Sequence, residues 1–585
     1  MTIKPEYPRP RLRRDSYINL NGEWEFCLNR APDCAIYDRS IRVPFPPEAP
    51  LSGLGIAVEP EDYLHYRRSF SLPQGFNRGR VLLHFGAVDQ ECEVVVNGHA
   101  VGGHRGGYLP FALDITDALQ AGGNVVEVCA RDQTESAPYA RGKQKLTRKG
   151  HMASIFYTPC SGIWKTVWLE SVPERYIVDL RFTPHCESGQ VELFVETNAP
   201  GRAEVGIRFG DEAVFSGSVA TDEPVFIDLA NPRLWLPETP NLYDVRVRFG
   251  EDRVDSYLGM RCFEARPDAN GVMRFFLNGE PFFFNGVLDQ GYWPEGLLTA
   301  PSEDALRRDI LAMKDLGFNT LRMHVKVEEE MFYTLCDRLG MVVWQDMPNG
   351  GDEYDMTFVT YLPNGIRPFG RVVRDSHYRW FARRDAGGRA QFCEELEGMV
   401  RLLYSYPCVA LWTPFNEGWG QFDAREATER IRRIDPTRLV NEACGWFDQG
   451  GGDVYSIHNY LRRLKVSPKP PRVVALTEYG GVACPVPGHT ASDKAFGYKK
   501  ACTSGEELTH RYERLWNEEI LPAIQSGLSA AIYTQVSDIE DEVNGIMTYD
   551  REVVKLDRNT VKALNARLVE AFRRAVSSGA GRNEV

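Results

Sequence analysis

The sequence predicts a multidomain protein in which two all-β sandwich domains precede a (β/α)8 barrel. Three observations carry this prediction. The chain has 585 residues, which is more than one hydrophobic core usually serves. Up to about residue 266 it contains short strands with frequent turns, and after Gly271 strands alternate with amphipathic helices. We therefore expect domains at residues 1–173, 174–266 and 267–585.

The two amino-terminal domains are predicted from alternating strands and tight turns. Asn-Gly turns accompany the strands at 20–26 and 93–98, and residues 161–170 form a further alternating strand. The second domain has strands near 190–197 and 243–248, and its length suits one immunoglobulin-like sandwich. Neither domain shows a cluster of chemically reactive side chains in its sequence.

The third domain alternates helices with apolar strands, as a parallel barrel requires. Ser302–Leu316 has an N-cap serine, an acidic first turn and apolar residues at helical spacing, and Asn559–Ala575 reads as a last amphipathic helix. Residues 350–370 have no clear period and are predicted to form a long loop after the third strand. The eight predicted strands lie at 282–287, 319–324, 341–347, 409–416, 439–444, 454–460, 473–478 and 528–536.

Two of these strands end in a glutamate. The fourth strand runs into Asn416 and Glu417, and the seventh ends in Glu478. The carboxyl ends of barrel strands share one rim, where catalytic residues of such folds lie. A single glutamate there more often caps a helix or pairs with an arginine, but two carboxylates on one rim suit glycoside hydrolysis.

At these residues the sequence resembles glycoside hydrolase family 2. The resemblance implies that Glu417, in the Asn-Glu pair, is the acid/base and that Glu478, in the Thr-Glu-Tyr-Gly run, is the nucleophile. It implies that Asn416 binds the sugar 2-hydroxyl and that Arg322 and Tyr460 hydrogen-bond the nucleophile. It also implies a jelly roll as the first domain and a reaction that retains the anomeric configuration, with carboxyl groups about 5–5.5 Å apart.

Further polar residues at strand ends are weaker candidates for sugar contacts. They are His324 after the second strand, Asp346 after the third and Trp446 after the fifth. A guanidinium beside a carboxylate favours its ionised form, so the pKa of Glu478 should be low next to Arg322. The sequence contains no phosphate loop, Ser-His-Asp arrangement or clustered metal ligands, so we expect neither a cofactor nor a metal.

The substrate is less well specified than the reaction. The Arg-Met-His and Trp-Gln-Asp-Met-Pro runs after the second and third strands lean toward the β-mannosidase branch of the family, and no Asn-x-Lys pair of the kind that binds glucuronate is found. We expect an exo-acting β-glycosidase, most simply a β-galactosidase. A β-mannosidase, and then an arabinosidase or galactofuranosidase, are the alternatives within the family. A non-catalytic carbohydrate-binding protein is the alternative of another class.

Composition and net charge limit the classes of molecule that the protein is expected to bind. The formal net charge is -13, which argues against nucleic acid or an anionic membrane and favours a neutral or cationic small glycoside. The basic first residues are not followed by an apolar stretch, so no secretory signal is predicted. Thirteen cysteines without CxxC spacing suggest reduced thiols in the cytoplasm. The size of the chain and its two accessory domains suggest a homodimer.

Overall fold

The computed structural model describes residues 3–33, 36–146, 154–366 and 369–577. Two antiparallel sandwiches precede a parallel barrel along the chain. The exact domain boundaries stay predictions. Among the described residues, no helix combines the length and the apolar character needed to cross a bilayer.

The first sandwich packs a six-stranded sheet against a four-stranded sheet. Alternation along the strands buries one face, and Trp24, Phe26 and Leu83 belong to the core between the sheets. Trp164 instead joins the apolar cluster of the barrel, so this domain is packed onto the barrel. Its strands are β1 (Tyr17–Asn19), β2 (Gly22–Asn29), β3 (Arg39–Val43), β4 (Tyr63–Ser71), β5 (Arg80–Phe85), β6 (Val88–Asp89), β7 (Glu91–Val96), β8 (His99–Arg105), β9 (Phe111–Asp114), β10 (Gly123–Arg131), β11 (Gly162–Ile163) and β12 (Val167–Val172).

The second sandwich has sheets of three and four strands. The stretch Tyr243–Phe249 alternates strictly between buried and exposed residues, which is the pattern of a strand with one face on a core and one in water. The strands are β13 (Ile177–His185), β14 (Gln190–Thr197), β15 (Arg202–Phe209), β16 (Glu212–Ala220), β17 (Pro224–Asp228), β18 (Tyr243–Phe249) and β19 (Asp252–Leu258).

The barrel contains all eight predicted strands, and each pairs in parallel with its neighbours except at one seam. A small antiparallel sheet of β20 (Phe263–Pro267), β21 (Met273–Leu277) and β22 (Glu280–Phe282) precedes it. The barrel strands are β23 (Phe284–Asp289), β24 (Thr320–Met323), β25 (Val342–Asp346), β26 (Val409–Thr413), β27 (Leu439–Val440), β28 (Val454–Asn459), β29 (Val473–Gly480) and β30 (Leu528–Thr534).

The seam lies between β27 and β28, the two ends of the sheet order. The backbone N–H of Asp453 donates to the carbonyl of Val440 across it, at 2.7 Å. The fifth strand is shorter than the predicted 439–444. Beyond Val440 the chain stays beside β26 and the residues after it, with Asn441 donating to Trp412 and Cys444 donating to Phe415, both at 2.8 Å, but it is no longer a regular strand.

The helices cover the outside of the barrel and part of its rim. The N-cap prediction is confirmed, since the hydroxyl of Ser302 accepts from the N–H of Ala305 at 3.2 Å. The predicted loop at 350–370 contains a π-turn (Thr357–Tyr361) and short helices, so its description as an irregular loop was wrong. The helices are α1 (Glu303–Asp315), α2 (Glu330–Leu339), α3 (Leu362–Gly365), α4 (Phe369–Val372), α5 (Ala386–Leu403), α6 (Ala424–Ile434), α7 (Gly505–Leu515), α8 (Leu521–Gln525) and α9 (Arg558–Ser577).

The barrel depends on the packing of Phe284, which begins the first strand. Its ring contacts Phe275 at 4.9 Å and Trp344 at 5.2 Å between centroids. Phe284→Ala should lower the free energy of unfolding of the barrel by about 3–5 kcal/mol, because it leaves a cavity. Thermal unfolding against Phe226→Ala, at a side chain that is 56% exposed, checks this. A loss no larger than that of the control would contradict the packing described.

Candidate active site

Glu417 lies where the chain leaves β26 at the carboxyl end of the barrel. Its φ of 54° is in the left-handed region, which costs a residue other than glycine roughly 1–3 kcal/mol and is concentrated at functional sites. The conformation is held by its N–H, which donates to the carbonyl of Cys444 at 2.8 Å. The carboxylate is turned toward β28, two strands away around the barrel, where Oε1 lies 2.6 Å from Nδ1 of His458.

Glu478 lies within β29 and is buried. Its Oε1 accepts from Nη1 of Arg322 at 3.0 Å, and its Oε2 accepts from the hydroxyl of Tyr460 at 2.6 Å. Burial alone would raise the pKa of Glu478, but the charges of His458 and Arg322 outweigh it and lower the pKa to about 2. The expectation of a low pKa for this carboxyl group is confirmed.

Arg322 ties four strands together from the middle of the site. Its side chain is fully buried, and its guanidinium lies 2.8 Å from the carboxylate of Asp346. The same group donates to Oδ1 of Asn416 at 2.8 Å, which leaves the amide nitrogen of Asn416 as a donor for a ligand. Asp346 also lies 2.9 Å from Nδ1 of His324. The contacts of Asp346 are those of a residue that positions Arg322 and His324, and its direct contact with sugar stays a prediction.

His458 was not among the predicted site residues, although it lies between the two glutamates. Its Nδ1 is 2.6 Å from Glu417 and 3.3 Å from Glu478. Burial opposes its charge, but the charges of Glu478 and Cys444 and its bonds to Cys444 and Glu417 raise its pKa to about 10. Side chains two apart on a strand point to the same face, so the choice of Tyr460 already implied His458.

The three side chains form one compact group. Single ligand atoms of Glu417, His458 and Glu478 all lie within 4.8 Å of one another. Such a set can hold a divalent cation, but a metal would have to displace the proton that these carboxylates favour on His458. The arrangement presents one ionised carboxylate, Glu478, and a second carboxylate, Glu417, beside the imidazolium of His458.

The remaining predicted residues lie in the same group. His324 is buried, and burial lowers its pKa to about 4, so it is neutral. Trp446 donates through Nε1 to the carbonyls of Val359 at 2.8 Å and Glu417 at 3.0 Å. Its ring meets that of His458 edge-on at 5.6 Å. The structure thus brings all eight predicted residues together, while their roles toward a substrate stay predictions.

Two further tyrosines belong to the site but lie on irregular segments, so no predicted strand end in the sequence pointed to them. Tyr498, after the seventh strand, stacks on Tyr460 with a centroid distance of 3.7 Å. Tyr157 comes from the first domain, and its hydroxyl bonds to the carboxylate of Glu542 and accepts from Gln290 at 2.6 Å. The amino-terminal sandwich therefore contributes directly to the rim of the barrel.

A cavity of about 510 Å³ opens beside Glu417. Its lining includes Glu417, Trp446 and Tyr361, the last of which is largely exposed. Of the other aromatic residues in the segment after the third strand, Tyr354 packs on Trp419, as part of an apolar cluster that holds the segment down.

The fold and site define a class: barrel proteins with two accessory β-sandwiches and a pair of rim glutamates. Family models match three parts of the chain. The model "Glycosyl hydrolases family 2, sugar binding domain" matches residues 56–173. The model "Glycosyl hydrolases family 2" matches residues 175–261. A third model, "Glycosyl hydrolases family 2, TIM barrel domain", matches residues 271–555. The chain belongs to glycosyl hydrolases family 2.

Named relatives divide between two activities. A β-galactosidase of Thermoanaerobacter pseudethanolicus is 25% identical over 79% of this chain and 61% of its own length. A putative β-glucuronidase of Formosa agariphila is 28% identical over 48% of this chain and 34% of its own length. The chain thus spans less than two thirds of either relative.

Solved structures share the whole fold. A β-glucuronidase from an uncultured Clostridium species has a TM-score of 0.74 at 19% identity, covering 96% of this chain and 99% of that one. A β-galacturonidase from Eisenbergiella tayi, bound to galacturonate, has a TM-score of 0.68 at 19% identity, covering 97% and 99%. At this identity the likeness concerns the fold alone.

The raised pKa of His458 predicts how stability depends on pH. The folded state holds this proton up to about pH 10, against an ordinary value of 6.5. Its stabilising contribution is therefore complete below about pH 6.5 and is lost as the pH rises to about 10. We expect the free energy of unfolding to fall in this window by up to about 1.4 kcal/mol per pH unit, and His458→Asn to remove that slope.

Urea unfolding at several pH values measures this effect. His510→Asn, at an exposed histidine, is the matched control and should keep the slope of the wild type. An unchanged slope in His458→Asn would mean that His458 does not hold the extra proton.

Proposed function

We propose that the protein is an exo-acting retaining β-glycosidase that hydrolyses terminal sugars, most simply a β-galactosidase. One observation carries the proposal. Glu417 and Glu478 approach each other so that an oxygen of each lies within 4.8 Å of the other. Retaining glycosidases have carboxyl groups about 5–5.5 Å apart, whereas inverting enzymes need about 6.5–9.5 Å to admit a water.

In the proposed reaction Glu478 is the nucleophile. Its low pKa keeps it ionised, and the bonds from Arg322 and Tyr460 orient it toward the anomeric carbon. The carbon–oxygen bond to the leaving group breaks as the bond to Glu478 forms, and Glu417 gives its proton to the leaving oxygen. Glu417 then takes a proton from water, which attacks the same carbon and releases Glu478.

Asn416 is proposed to bind the sugar next to these carboxylates. Arg322 occupies its Oδ1, so its amide nitrogen is oriented to donate to the 2-hydroxyl. Hydrogen bonds to this hydroxyl strengthen in the transition state, when positive charge develops at the anomeric carbon. The contribution of Asn416 should therefore appear in kcat rather than only in KM.

A neutral terminal sugar is favoured over a uronate. Glu542 is buried on the loop after the last strand, and Asn544 donates to it at 2.8 Å. Burial raises its pKa against the lowering effect of Lys143, and the charge of Glu478 adds to the rise. The absence from the sequence of an Asn-x-Lys pair of the kind that binds glucuronate is the observation that favours a neutral sugar. Among neutral sugars we favour galactose, because a relative named β-galactosidase matches 79% of the chain. Mannose, arabinose and galactofuranose are the alternatives.

The alternative of another class is a carbohydrate-binding protein without activity. Retention of both carboxylates, with donors to each, supports catalysis over binding alone. A cytoplasmic location and a homodimer stay predictions.

Hydrolysis of a panel of para-nitrophenyl glycosides tests the proposal. One β-glycoside should be cleaved, and Glu478→Ala should reduce kcat by at least about 10⁴-fold because no glycosyl-enzyme can form. Glu417→Ala should keep activity on this good leaving group and be accelerated by azide, which replaces the water that Glu417 would activate. Glu394→Gln, at an exposed glutamate of α5, is the control.

The stereochemistry gives a second readout. Proton NMR of the first product should show the β-anomer before it mutarotates. An α-anomer would refute the retaining assignment, and the absence of turnover in the whole panel would favour the binding protein.

A further inference from the structure

The cavity of about 510 Å³ lies next to Glu417. Its lining includes Glu417 but not Glu478. An acid/base protonates the leaving oxygen, so the part of the substrate beyond that oxygen must extend past the acid rather than past the nucleophile. The cavity is therefore the space into which the leaving group projects. This step rests on the proposed function.

The lining of this cavity is strongly basic, in a chain whose net charge is -13. Besides Glu417, the carboxylate in its lining is Asp448, which already binds Arg472 at 2.7 and 2.9 Å. The cationic side chains that line it are Arg371, Arg462, Arg463, Lys465 and Lys469.

These five cations have no carboxylate partner among the residues that the structure describes. Arg371 donates to the hydroxyl of Tyr455, and Arg462 donates to the carbonyl of Asn364 at 2.7 Å. The ammonium of Lys469 lies 5.5 Å from the ring of Tyr455. These partners are neutral, and the charge of Arg371 also helps to lower the pKa of Asp448. The five cations therefore outnumber the two carboxylates of the lining, Glu417 and Asp448, which balance them only in part.

Two arginines of α6 show the opposite arrangement and lie beside carboxylates. On α6, Arg430 lies 3.0 Å from Glu397, and Arg433 lies 3.1 Å from Glu426. A surface that only needed solubility would carry both signs of charge, as α6 does. Concentration of one sign in a concave site raises the local concentration of ligands of the opposite sign.

The seam of the barrel accounts for the place of this cavity. Residues that follow β27 line one side of it, and β28 with the segment after it lines the other. These two strands do not form a ladder. Single hydrogen bonds bridge them, such as that from the N–H of Gly445 to the hydroxyl of Ser456 at 3.0 Å, and the cavity lies at this seam next to Glu417. All five cations are carried by segments around this cavity.

We propose that the leaving group of the substrate is anionic, so that the enzyme removes a sugar from an oligosaccharide whose next units bear carboxylate or sulfate. Arginine binds either group with paired donors, and lysine adds a point charge. The terminal sugar itself is neutral, and the charge recognised lies beyond the bond that breaks.

The test compares disaccharides that differ only in the leaving group. Galactose, or the sugar that the para-nitrophenyl panel selects, is β-linked to glucose, to glucuronic acid or to glucose 6-sulfate. The wild type should show a kcat/KM at least about tenfold higher for an acidic member than for the glucose member. This ratio should fall as ionic strength rises from about 20 mM to about 0.5 M, because salt screens exposed charges. The two acidic members distinguish carboxylate from sulfate.

Substitution of the cavity decides whether these residues cause the preference. The triple variant Arg463→Ala, Lys465→Ala, Lys469→Ala should lower the ratio of acidic to neutral kcat/KM at least about fivefold, a readout that a general loss of activity does not move. The control is Arg208→Ala, Arg246→Ala, Arg253→Ala on the second domain, which should keep the wild-type ratio. A ratio near one in the wild type, or an unchanged ratio in the cavity variant, would overturn the inference.

Binding separates this inference from the proposed function. Calorimetry of the three disaccharides with Glu478→Gln measures affinity without turnover. Tighter binding of an acidic member, lost in the cavity variant, would support the anionic site even if no glycoside were hydrolysed. Equal affinity for all three would refute it even if para-nitrophenyl glycosides were cleaved.

Discussion

The buried guanidinium of Arg322 is the interaction on which the site depends. It is fully buried and reaches Asp346 on β25, Asn416 after β26 and Glu478 on β29. A charge in that position is tolerated only because carboxylates and amide oxygens surround it. Each of these partners is in turn held at a defined place on a strand end. The positions of these four residues are therefore set by the strands of the barrel.

The amino-terminal sandwich is part of this geometry. Tyr157 reaches from it to Glu542, and the ammonium of Lys165, also from this domain, donates to the carbonyl of Val327 at 3.0 Å. Both contacts are buried, and Trp164 packs into the apolar cluster of the barrel. An isolated barrel would expose this surface and lose a wall of the site. The accessory domain thus acts as a structural component of the active site, whether or not it binds sugar by itself.

Much of this arrangement was predictable because periodicity and strand ends are local signals. The eight barrel strands, the N-cap at Ser302 and the placement of Glu417 and Glu478 on one rim follow from residue order. His458 was also within reach, since it shares the face of Tyr460. Tyr498 was not, because it belongs to an irregular segment whose path depends on tertiary packing.

The distribution of charge over the surface could not be predicted from the net charge of the sequence. The net charge suggested a neutral or cationic ligand. Five cationic side chains nevertheless line one cavity: Arg371, Arg462, Arg463, Lys465 and Lys469. Nothing in the sequence next to these five cations shows that the acidic residues of the chain form their ion pairs with other cations. The end of β27 at Val440 was similarly unpredictable, because residues 441–444 stay beside the same neighbour but in an irregular path that depends on tertiary packing.

Trp446 has a consequence for any attempt to redesign this protein. Its indole N–H bridges the carbonyl of Val359, in the segment after the third strand, and the carbonyl of Glu417. The segment that lines the cavity beside Glu417 and the backbone of Glu417 itself thus share one donor. Grafting a different segment from another enzyme would shift that donor, so recognition of the departing group and the rate of its departure cannot be engineered as separate modules.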